Sequence, residues 1–341
     1  MHFWTEFTGS ISHDEFMRWA LYHHTHGYYL QERNPIGPAG DFVTAPEHHP
    51  AFARLVGRRV TSVLRRLRDP GSSVVVEMGA GNGTLAAGIL ETLDRTLPGP
   101  PLQYWIVEPF PVWRRRQQER LAPFGDRVCW LPDLDACPPF RGVFLSNELP
   151  DSFPVHRVIR RGDSVRELQV VHQGDGFAEV EACPSTPALA EYFRRIGFLP
   201  APDRKCEVCV GLAPWVRQVA RRLQAGSFLT LDYGATAEEL FLAGPSEGHL
   251  RACHRQAHST PLADPGSQDL TAWVDFTTLL RTGREEGLRL EAFTTQRRFL
   301  LAMGWESERR HDRSGRRRAL TDLVDPAQMG STRVLELRRD E

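Results

Sequence analysis

One short stretch constrains the fold more than any other: a β-branched run, a turn with three glycines and the start of a helix. Residues 74–84 read V-V-V-E-M-G-A-G-N-G-T, and a helical pattern continues to Leu90. Glycines at alternate positions let a backbone approach a ligand more closely than any Cβ would permit, and the helix that follows offers free N–H groups. The stretch predicts the first strand–turn–helix unit of a doubly wound α/β sheet, with a nucleotide-like ligand at the turn.

The spacing and charge of this turn narrow the ligand class. Gly79, Gly81 and Gly83 are spaced G-x-G-x-G, which differs from the dinucleotide fingerprint, and no Gly-Lys-Ser/Thr follows, which excludes a P-loop. Glu77, at the end of the strand, would repel a pyrophosphate but suits a cationic or zwitterionic ligand. The sulfonium and α-amino groups of S-adenosylmethionine (SAM) meet that requirement.

The overall composition does not indicate any class of binding partner. The chain has 341 residues, of which 41% are hydrophobic and 25% charged, and its net charge is −1, so neither nucleic acid nor an anionic membrane is indicated as a partner. No apolar run reaches the roughly 20 residues that span a bilayer. Residues 1–6 lack the pattern of a secretory signal peptide. We therefore expect a cytoplasmic protein.

Two residue clusters invite a metal interpretation that the sequence does not support. Cys206 and Cys209 form a C-x-x-C, but no second pair completes a zinc site. His23, His24 and His26 have no acidic or cysteine partner at matching spacing, and a glycine follows them. We expect free thiols, an aromatic-packed histidine loop and no metal.

Further apolar runs predict the rest of the sheet. Residues 103–108 form a second strand that ends in Glu108, about 25 residues beyond the glycines, where an acid can bind the hydroxyls of a ribose. Ligands of such sheets bind at the carboxyl ends of the strands, so the loop at 149–154 is a candidate part of the site. The third, fourth and fifth strands are predicted at 128–131, 142–148 and 226–234.

The remaining segments are predicted as helices, two outer strands and two insertions. Ser12 is a candidate N-cap with Glu15 three residues later. The alternation over 155–183 predicts an antiparallel hairpin, and the polar, histidine-rich segment 244–274 is typical of a functional or mobile insertion. Further helices are predicted at 50–68, 187–196, 212–224, 275–287 and 319–324, strands at 288–294 and 333–337, and a solvated basic turn at 313–318.

Taken together, several strings resemble the MidA-like family of SAM-dependent methyltransferases. They run in order from about residue 10 to 304, nearly the whole chain. The most specific are G-D-F-V-T-A-P-E at 40–47 and D-P-G-S-Q-D-L-T at 264–271. The other matching segments are 20–23, 27–29, 77–83, 146–155, 232–234, 248–252, 274–276 and 294–296.

The resemblance implies a class I methyltransferase fold, an α/β Rossmann-like sheet of seven strands. It implies an N-terminal helical extension over 1–70 that contributes to the SAM pocket. Residues 71–341 would form the methyltransferase core, with insertions at about 155–210 and 244–274 forming a substrate cap. Mitochondrial members of the family methylate an arginine of a respiratory complex I subunit, and the substrates of the bacterial members, with which we group this chain, are mostly unassigned. The implied activity is methyl transfer from SAM, with a protein arginine as the expected acceptor.

The expected site combines these inferences. Carboxylates suit a guanidinium acceptor because they can hold its planar fork with two hydrogen bonds. The candidate catalytic residues are Glu148, Asp151 and His156. The candidate SAM-binding residues are Asp41, Thr44, Glu77, Gly79, Gly81, Gly83, Glu108, Pro109, Asp133, Leu134 and Asn147.

Two other functions stay open at this point. The family usually follows A-P-E with residues such as I-S-Q, whereas H-H-P stands at 48–50 here, so the acceptor could instead be a small molecule or peptide natural product. A hydroxyl or carboxyl acceptor would need a histidine base, for which His156, His249 and His254 are candidates. The third possibility is a SAM-binding assembly factor without turnover. The oligomeric state is not predicted.

Overall fold

The computed structural model describes residues 9–68, 73–97 and 102–341. The α-helices are α1 (His13–Tyr22), α2 (Ala45–His48), α3 (Ala51–Leu64), α4 (Thr84–Thr96), α5 (Pro111–Leu121), α6 (Ala188–Ile196), α7 (Leu212–Arg222), α8 (Phe276–Glu285), α9 (Gln296–Ala302), α10 (Trp305–His311) and α11 (Arg317–Asp322). The strands are β1 (Ser10–Ser12), β2 (Val74–Met78), β3 (Gln103–Val107), β4 (Val128–Leu131), β5 (Phe140–Asn147), β6 (His156–Arg161), β7 (Ser164–Gln173), β8 (Gly176–Ala182), β9 (Lys205–Val208), β10 (Leu223–Asp232), β11 (Gly234–Ala235), β12 (Arg251–His254), β13 (Ala257–Ser259), β14 (Asp269–Thr271), β15 (Val274–Asp275), β16 (Arg289–Thr295) and β17 (Arg333–Arg339).

The chain divides into two compact units. The sheet unit comprises Val43–Leu149, Trp215–Tyr233 and Leu280–Glu341, and the hairpin unit comprises Met1–Phe42, Pro150–Pro214 and Gly234–Leu279. Both predicted insertions fall within the hairpin unit, and their role as a substrate cap stays a prediction. The predicted boundary at 70/71 and the stretch tested for a signal peptide, 1–6, lie outside the described residues.

The sheet unit is built on seven strands in the order β16-β17-β10-β5-β2-β3-β4. Strand β17 is antiparallel to both of its neighbours, and the other pairings are parallel. Strands that are buried on both faces need an almost continuous apolar sequence. For this reason the apolar run at 74–76 correctly predicted a strand. The predicted α/β class I methyltransferase fold with a seven-stranded sheet is confirmed.

Alternate residues of the central strands serve opposite faces of this sheet. Val75 and Leu145 belong to one buried apolar cluster with residues of α3 and α4. Phe144 and Phe228 are stacked with ring centroids 5.4 Å apart, and Trp215 of α7 packs edge-on against both. Helices therefore cover both faces, and the carboxyl ends of the parallel strands lie at one edge.

The hairpin unit is organised by an antiparallel sheet. The predicted hairpin is a three-stranded meander, β6-β7-β8, which β1 and β9 extend. The predicted N-cap of α1 is confirmed, because the Glu15 N–H donates to the Ser12 Oγ at 3.1 Å. The segment 244–274, predicted as a functional or mobile insertion, contains the short strands β12, β13 and β14. Among the described residues, no helix combines the length and apolarity needed to cross a bilayer.

A buried ion pair ties α3 to β17 in the sheet unit. Arg59 donates to Glu336 at 2.7 Å, and the Ser227 hydroxyl donates to the same carboxylate at 2.8 Å. Glu336 is 2% exposed, so these partners replace the water that its carboxylate loses.

We predict that Arg59→Met lowers the free energy of unfolding by about 3–5 kcal/mol in urea denaturation, because a buried carboxylate is left without its cation. The control is Arg66→Met, since Arg66 is more exposed and pairs with Glu291; its loss should stay below about 1 kcal/mol. The double variant Arg59→Met/Glu336→Met should recover most of the stability. Equal losses for the two single variants would contradict the argument.

Candidate active site

The turn after β2 has the backbone that its glycines predict. Gly79, Gly81 and Gly83 have φ values of 74°, 53° and 76°, all in the left-handed region that favours glycine. A Cβ on Gly79 would lie 2.7 Å from the Leu149 Cδ1. Gly83 is the N-cap of α4, and no side chain in the described part of the chain caps this helix. The turn thus presents backbone rather than side chains to a ligand.

Glu108 follows β3 and lies in a small network of donors. Its carboxylate accepts the Phe110 N–H and the Gln117 side-chain amide, each at 3.1 Å. Burial raises the pKa of Glu108 to about 7, in spite of these hydrogen bonds. The Gln117 amide also donates to the Gly81 carbonyl at 3.0 Å, so one side chain joins the predicted ribose-binding acid to the glycine turn. Gln117 was missed from the sequence, where it is one polar residue within a helix.

Glu77, the predicted SAM contact at the end of β2, is almost completely enclosed by protein. It is 2% exposed, and its Oε2 accepts the Tyr104 hydroxyl at 2.6 Å. Burial raises the pKa of Glu77 to about 7. The carboxyl group therefore sits inside the sheet unit beside the glycine turn, and its contact with SAM stays a prediction.

Three further candidates lie at the ends of β3 and β4. Pro109 is exposed where the chain leaves β3 for α5. After β4, Asp133 is exposed and accepts the Ala136 N–H at 2.8 Å, while Leu134 is buried. The parallel pairing of β3 with β4 brings these segments to the same sheet edge as Glu108.

Glu148 follows β5 at the same edge, with an unusual backbone. Its φ of 47° is left-handed although it is not a glycine. Its Oε1 accepts both the Asn147 side-chain amide and the Ala45 N–H, each at 3.1 Å. Burial raises the pKa of Glu148 to about 7. Thr44, another predicted contact, is the residue that precedes α2. The structure thus brings Thr44, Asn147 and Glu148 together.

Glu47 of α2 is a second residue that sequence reasoning missed. It accepts the Asn82 side-chain amide at 3.0 Å and the Thr84 hydroxyl at 2.5 Å. Both donors belong to the glycine turn and the start of α4. Glu47 stood in the specific string at 40–47, and its pairing with residues some 35 positions away could not be inferred from that string.

The candidates in the hairpin unit already have structural partners. Asp41 is fully buried, and although burial opposes ionisation, hydrogen bonds from Arg33, the Arg255 N–H and Tyr28 lower its pKa to about 2. His156 is buried in β6 with its Nδ1 2.7 Å from Glu167. Their predicted roles in cofactor binding and catalysis stay predictions.

Asp151 and the two alternative histidine bases also lie in the hairpin unit. The carbonyl of Asp151 accepts the Ala272 N–H at 2.8 Å. His249 stacks on Trp273 with ring centroids 4.2 Å apart, and His254 contacts the Ser267 carbonyl at 2.9 Å. None of these contacts assigns a catalytic role, so that of Asp151 also stays a prediction.

The strand ends of the sheet unit fit SAM as a ligand. The glycines keep side chains off the turn, so that its backbone can approach a ligand, and buried acids close to it can match hydroxyl and ammonium donors. The predicted SAM-binding residues of this unit are Thr44, Glu77, Gly79, Gly81, Gly83, Glu108, Pro109, Asp133, Leu134 and Asn147, and their contacts with SAM stay predictions.

Comparison with known proteins shows similarity over most of the chain. A solved structure from Burkholderia thailandensis, bound to S-adenosylhomocysteine, superposes with a TM-score of 0.86 at 30% identity, covering 97% of this chain and 88% of that one. A protein arginine methyltransferase NDUFAF7 homolog from Drosophila melanogaster is 29% identical over 95% of this chain and 80% of its own length. The human mitochondrial NDUFAF7 is 27% identical over 87% of this chain and 70% of its length.

These relatives correct one prediction. We expected a cytoplasmic protein, and that prediction is wrong on this evidence, because the curated relatives are named as mitochondrial proteins. The grouping with bacterial members stays a prediction.

The family itself is shown by a family model. Residues 55–294 match the model of S-adenosyl-L-methionine-dependent methyltransferases. The predicted cofactor and enzyme class are thereby confirmed, together with the MidA-like resemblance. The chain belongs to this family of SAM-dependent methyltransferases.

Proposed function

We propose that this enzyme transfers a methyl group from SAM to the guanidinium of a protein arginine. The observation that carries the proposal is the carboxylate of Glu148 at the end of β5. Within the described residues, both hydrogen bonds that this carboxylate accepts converge on Oε1, and none reaches Oε2. A carboxylate with one oxygen held and the other available can accept an N–H of a guanidinium. Relatives named as protein arginine methyltransferases, which match 95% and 87% of this chain, support the same acceptor.

The residues around the glycine turn have defined tasks in this proposal. When bound, SAM supplies a methyl group that is carried on a sulfonium, and the sulfonium sulfur is a good leaving group. The backbone at Gly79 and Gly81 admits the cofactor, and Glu108 accepts hydrogen bonds from its ribose hydroxyls. Glu148 orients the acceptor and accepts the proton that the guanidinium nitrogen loses. Its pKa of about 7 suits this task, since a general base works best when its pKa is near the working pH.

The acceptor prediction is tested with radiolabelled SAM and an extract of the producing cells, separated into protein and small-molecule fractions. We expect label in protein, released as methylarginine on hydrolysis. Glu148→Gln should lower the rate about 100-fold or more while SAM affinity changes little. The control Asp163→Asn removes a carboxylate that is fully exposed and should leave the rate unchanged.

Two outcomes of that experiment would overturn the proposal. Label confined to the small-molecule fraction would favour a small-molecule methyltransferase. Tight SAM binding with no label in either fraction would favour an assembly factor without turnover. Full activity of Glu148→Gln would instead remove Glu148 from the mechanism.

A second prediction concerns the pH dependence of SAM binding. The free enzyme holds Glu108 near a pKa of about 7, and ribose hydroxyls favour its ionised form. Binding should therefore release a proton, and affinity should rise about tenfold between pH 6 and pH 8. Calorimetry in buffers of different ionisation enthalpy measures this release.

Two variants that replace a carboxyl group by a neutral amide serve as controls for this coupling between SAM binding and proton release. Glu108→Gln should remove the part of the proton release that Glu108 contributes, while any release from Glu77 would persist. Glu148→Gln should retain it, although the pKa of Glu148 is also raised to about 7, because we place that carboxylate toward the acceptor. Unchanged proton release in Glu108→Gln would show that the ribose is bound elsewhere.

A third prediction tests the position of the pocket. Gly81→Val places a branched side chain on a left-handed backbone beside the ligand, and SAM affinity should fall tenfold or more. The control is Gly125→Val: Gly125 has a similar φ of 55°, and a Cβ there meets nothing within 4 Å. Calorimetric titration should show normal SAM affinity for the control. Normal affinity for Gly81→Val would mean that the pocket is misplaced.

A further inference from the structure

The short helix α2 depends on other parts of the sheet unit for its position. It has four residues and no side-chain cap at Thr44 within the described chain, and a single helical turn is unstable by itself. Its start is tied to the candidate site, because the Ala45 N–H donates to Glu148 and the side chain of Glu47 accepts from Asn82. Any movement of α2 therefore moves a donor to Glu148 and a support of the glycine turn.

The end of α2 is held by a distant surface turn, Asp312–Arg316. The guanidinium of Arg316 donates to the carbonyls of Glu47 and His48. These are carbonyls of the last residues of the helix, which have no partner within it, and a cation is favoured there. The contacts bridge about 270 residues of sequence, so they fix α2 to the C-terminal part of the sheet unit.

His49 makes the second connection to this turn. It is fully buried, and its Nδ1 accepts the Ala51 N–H at 3.1 Å. The proton of the neutral ring is therefore on Nε2, which lies 3.1 Å from the Ser314 Oγ. Burial lowers the pKa of His49, in keeping with a neutral ring that donates to Ser314.

The turn is shaped before it contacts α2. The Ser314 N–H donates to the Asp312 carboxylate at 3.0 Å, and the Arg316 N–H donates to the Ser314 hydroxyl at 3.1 Å. Ser314 thus links the buried histidine to the backbone of Arg316. The basic turn was expected to be merely solvated, and although Arg316 is on the surface, its guanidinium has specific backbone acceptors.

We propose that Asp312–Arg316 is a clasp that positions α2, with Ser314 and Arg316 as positioning residues for Glu148 and for the glycine turn. The inference rests on the proposed function of that site. Loss of the clasp frees the donor at Ala45, and a carboxylate that loses a donor is harder to ionise. The clasp therefore keeps the pKa of Glu148 from rising further, besides holding the glycine turn.

The test compares Ser314→Ala/Arg316→Ala with the wild-type enzyme. Hydrogen exchange of the peptide spanning 43–49 should become at least about tenfold faster in the free protein, and S-adenosylhomocysteine should bind several-fold more weakly. In the methyl-transfer assay, the pH at half-maximal rate should move upward. The single variant Arg316→Lys, which keeps a cation at this position, should retain much of the wild-type protection against exchange.

The matched control is Arg313→Ala, an exposed arginine of the same turn, which should change none of these measurements. Unchanged exchange at 43–49 in the double variant would overturn the clasp. Faster exchange with unchanged binding and an unchanged pH profile would also overturn its positioning role. Hydrogen exchange and S-adenosylhomocysteine binding do not depend on the acceptor. A failure of the arginine proposal would therefore leave both results unchanged and could be told apart from a failure of the clasp.

Discussion

The left-handed backbone between β2 and α4 is the constraint on which the candidate site depends. Three glycines at positive φ turn the chain within a few residues, and the surrounding contacts are specific to that path. Gln117 donates to the Gly81 carbonyl, while the side chain of Glu47 holds Asn82 and the first residue of α4. The pocket is thus shaped by backbone conformation first and by side chains from distant segments second.

Three acids near this turn, two of them buried and one partly buried, determine the electrostatics of this edge of the sheet. Glu77, Glu108 and Glu148 all have pKa values raised to about 7 by burial. Each lowers the stability of the free protein as the pH rises from about 4.5 toward 7, because the folded state holds a proton that the unfolded chain has already released. Such groups persist where function needs them. A ligand that donates hydrogen bonds or carries positive charge relieves the same penalty.

The sequence predicted the sheet well because its signals are local. An apolar run, a glycine turn and an N-cap such as Ser12 each depend on a few adjacent residues. The tasks of Gln117 and Glu47 depend on tertiary proximity, and a polar residue on a helix has no local sign of its partner. The division into two units has no local sign either, since residues 9–42 join segments more than 100 positions away. Nor could local patterns show that Asp41 and His156 already pair with Arg33 and Glu167.

At position 148, the identity of the residue is explained by side-chain chemistry and not by backbone preference. A non-glycine residue at φ 47° costs about 1–3 kcal/mol and persists only where its surroundings impose that conformation. The surroundings do so here, because the Glu148 N–H donates to the Leu231 carbonyl of β10 at 2.8 Å and its carboxylate is held by Asn147 and Ala45. A glycine would relieve the strain, although the hydrogen bonds from Asn147 and Ala45 would lose their acceptor. The carboxylate itself would be lost as well, and a glutamate at this left-handed position therefore supports a chemical task beside its structural hydrogen bonds.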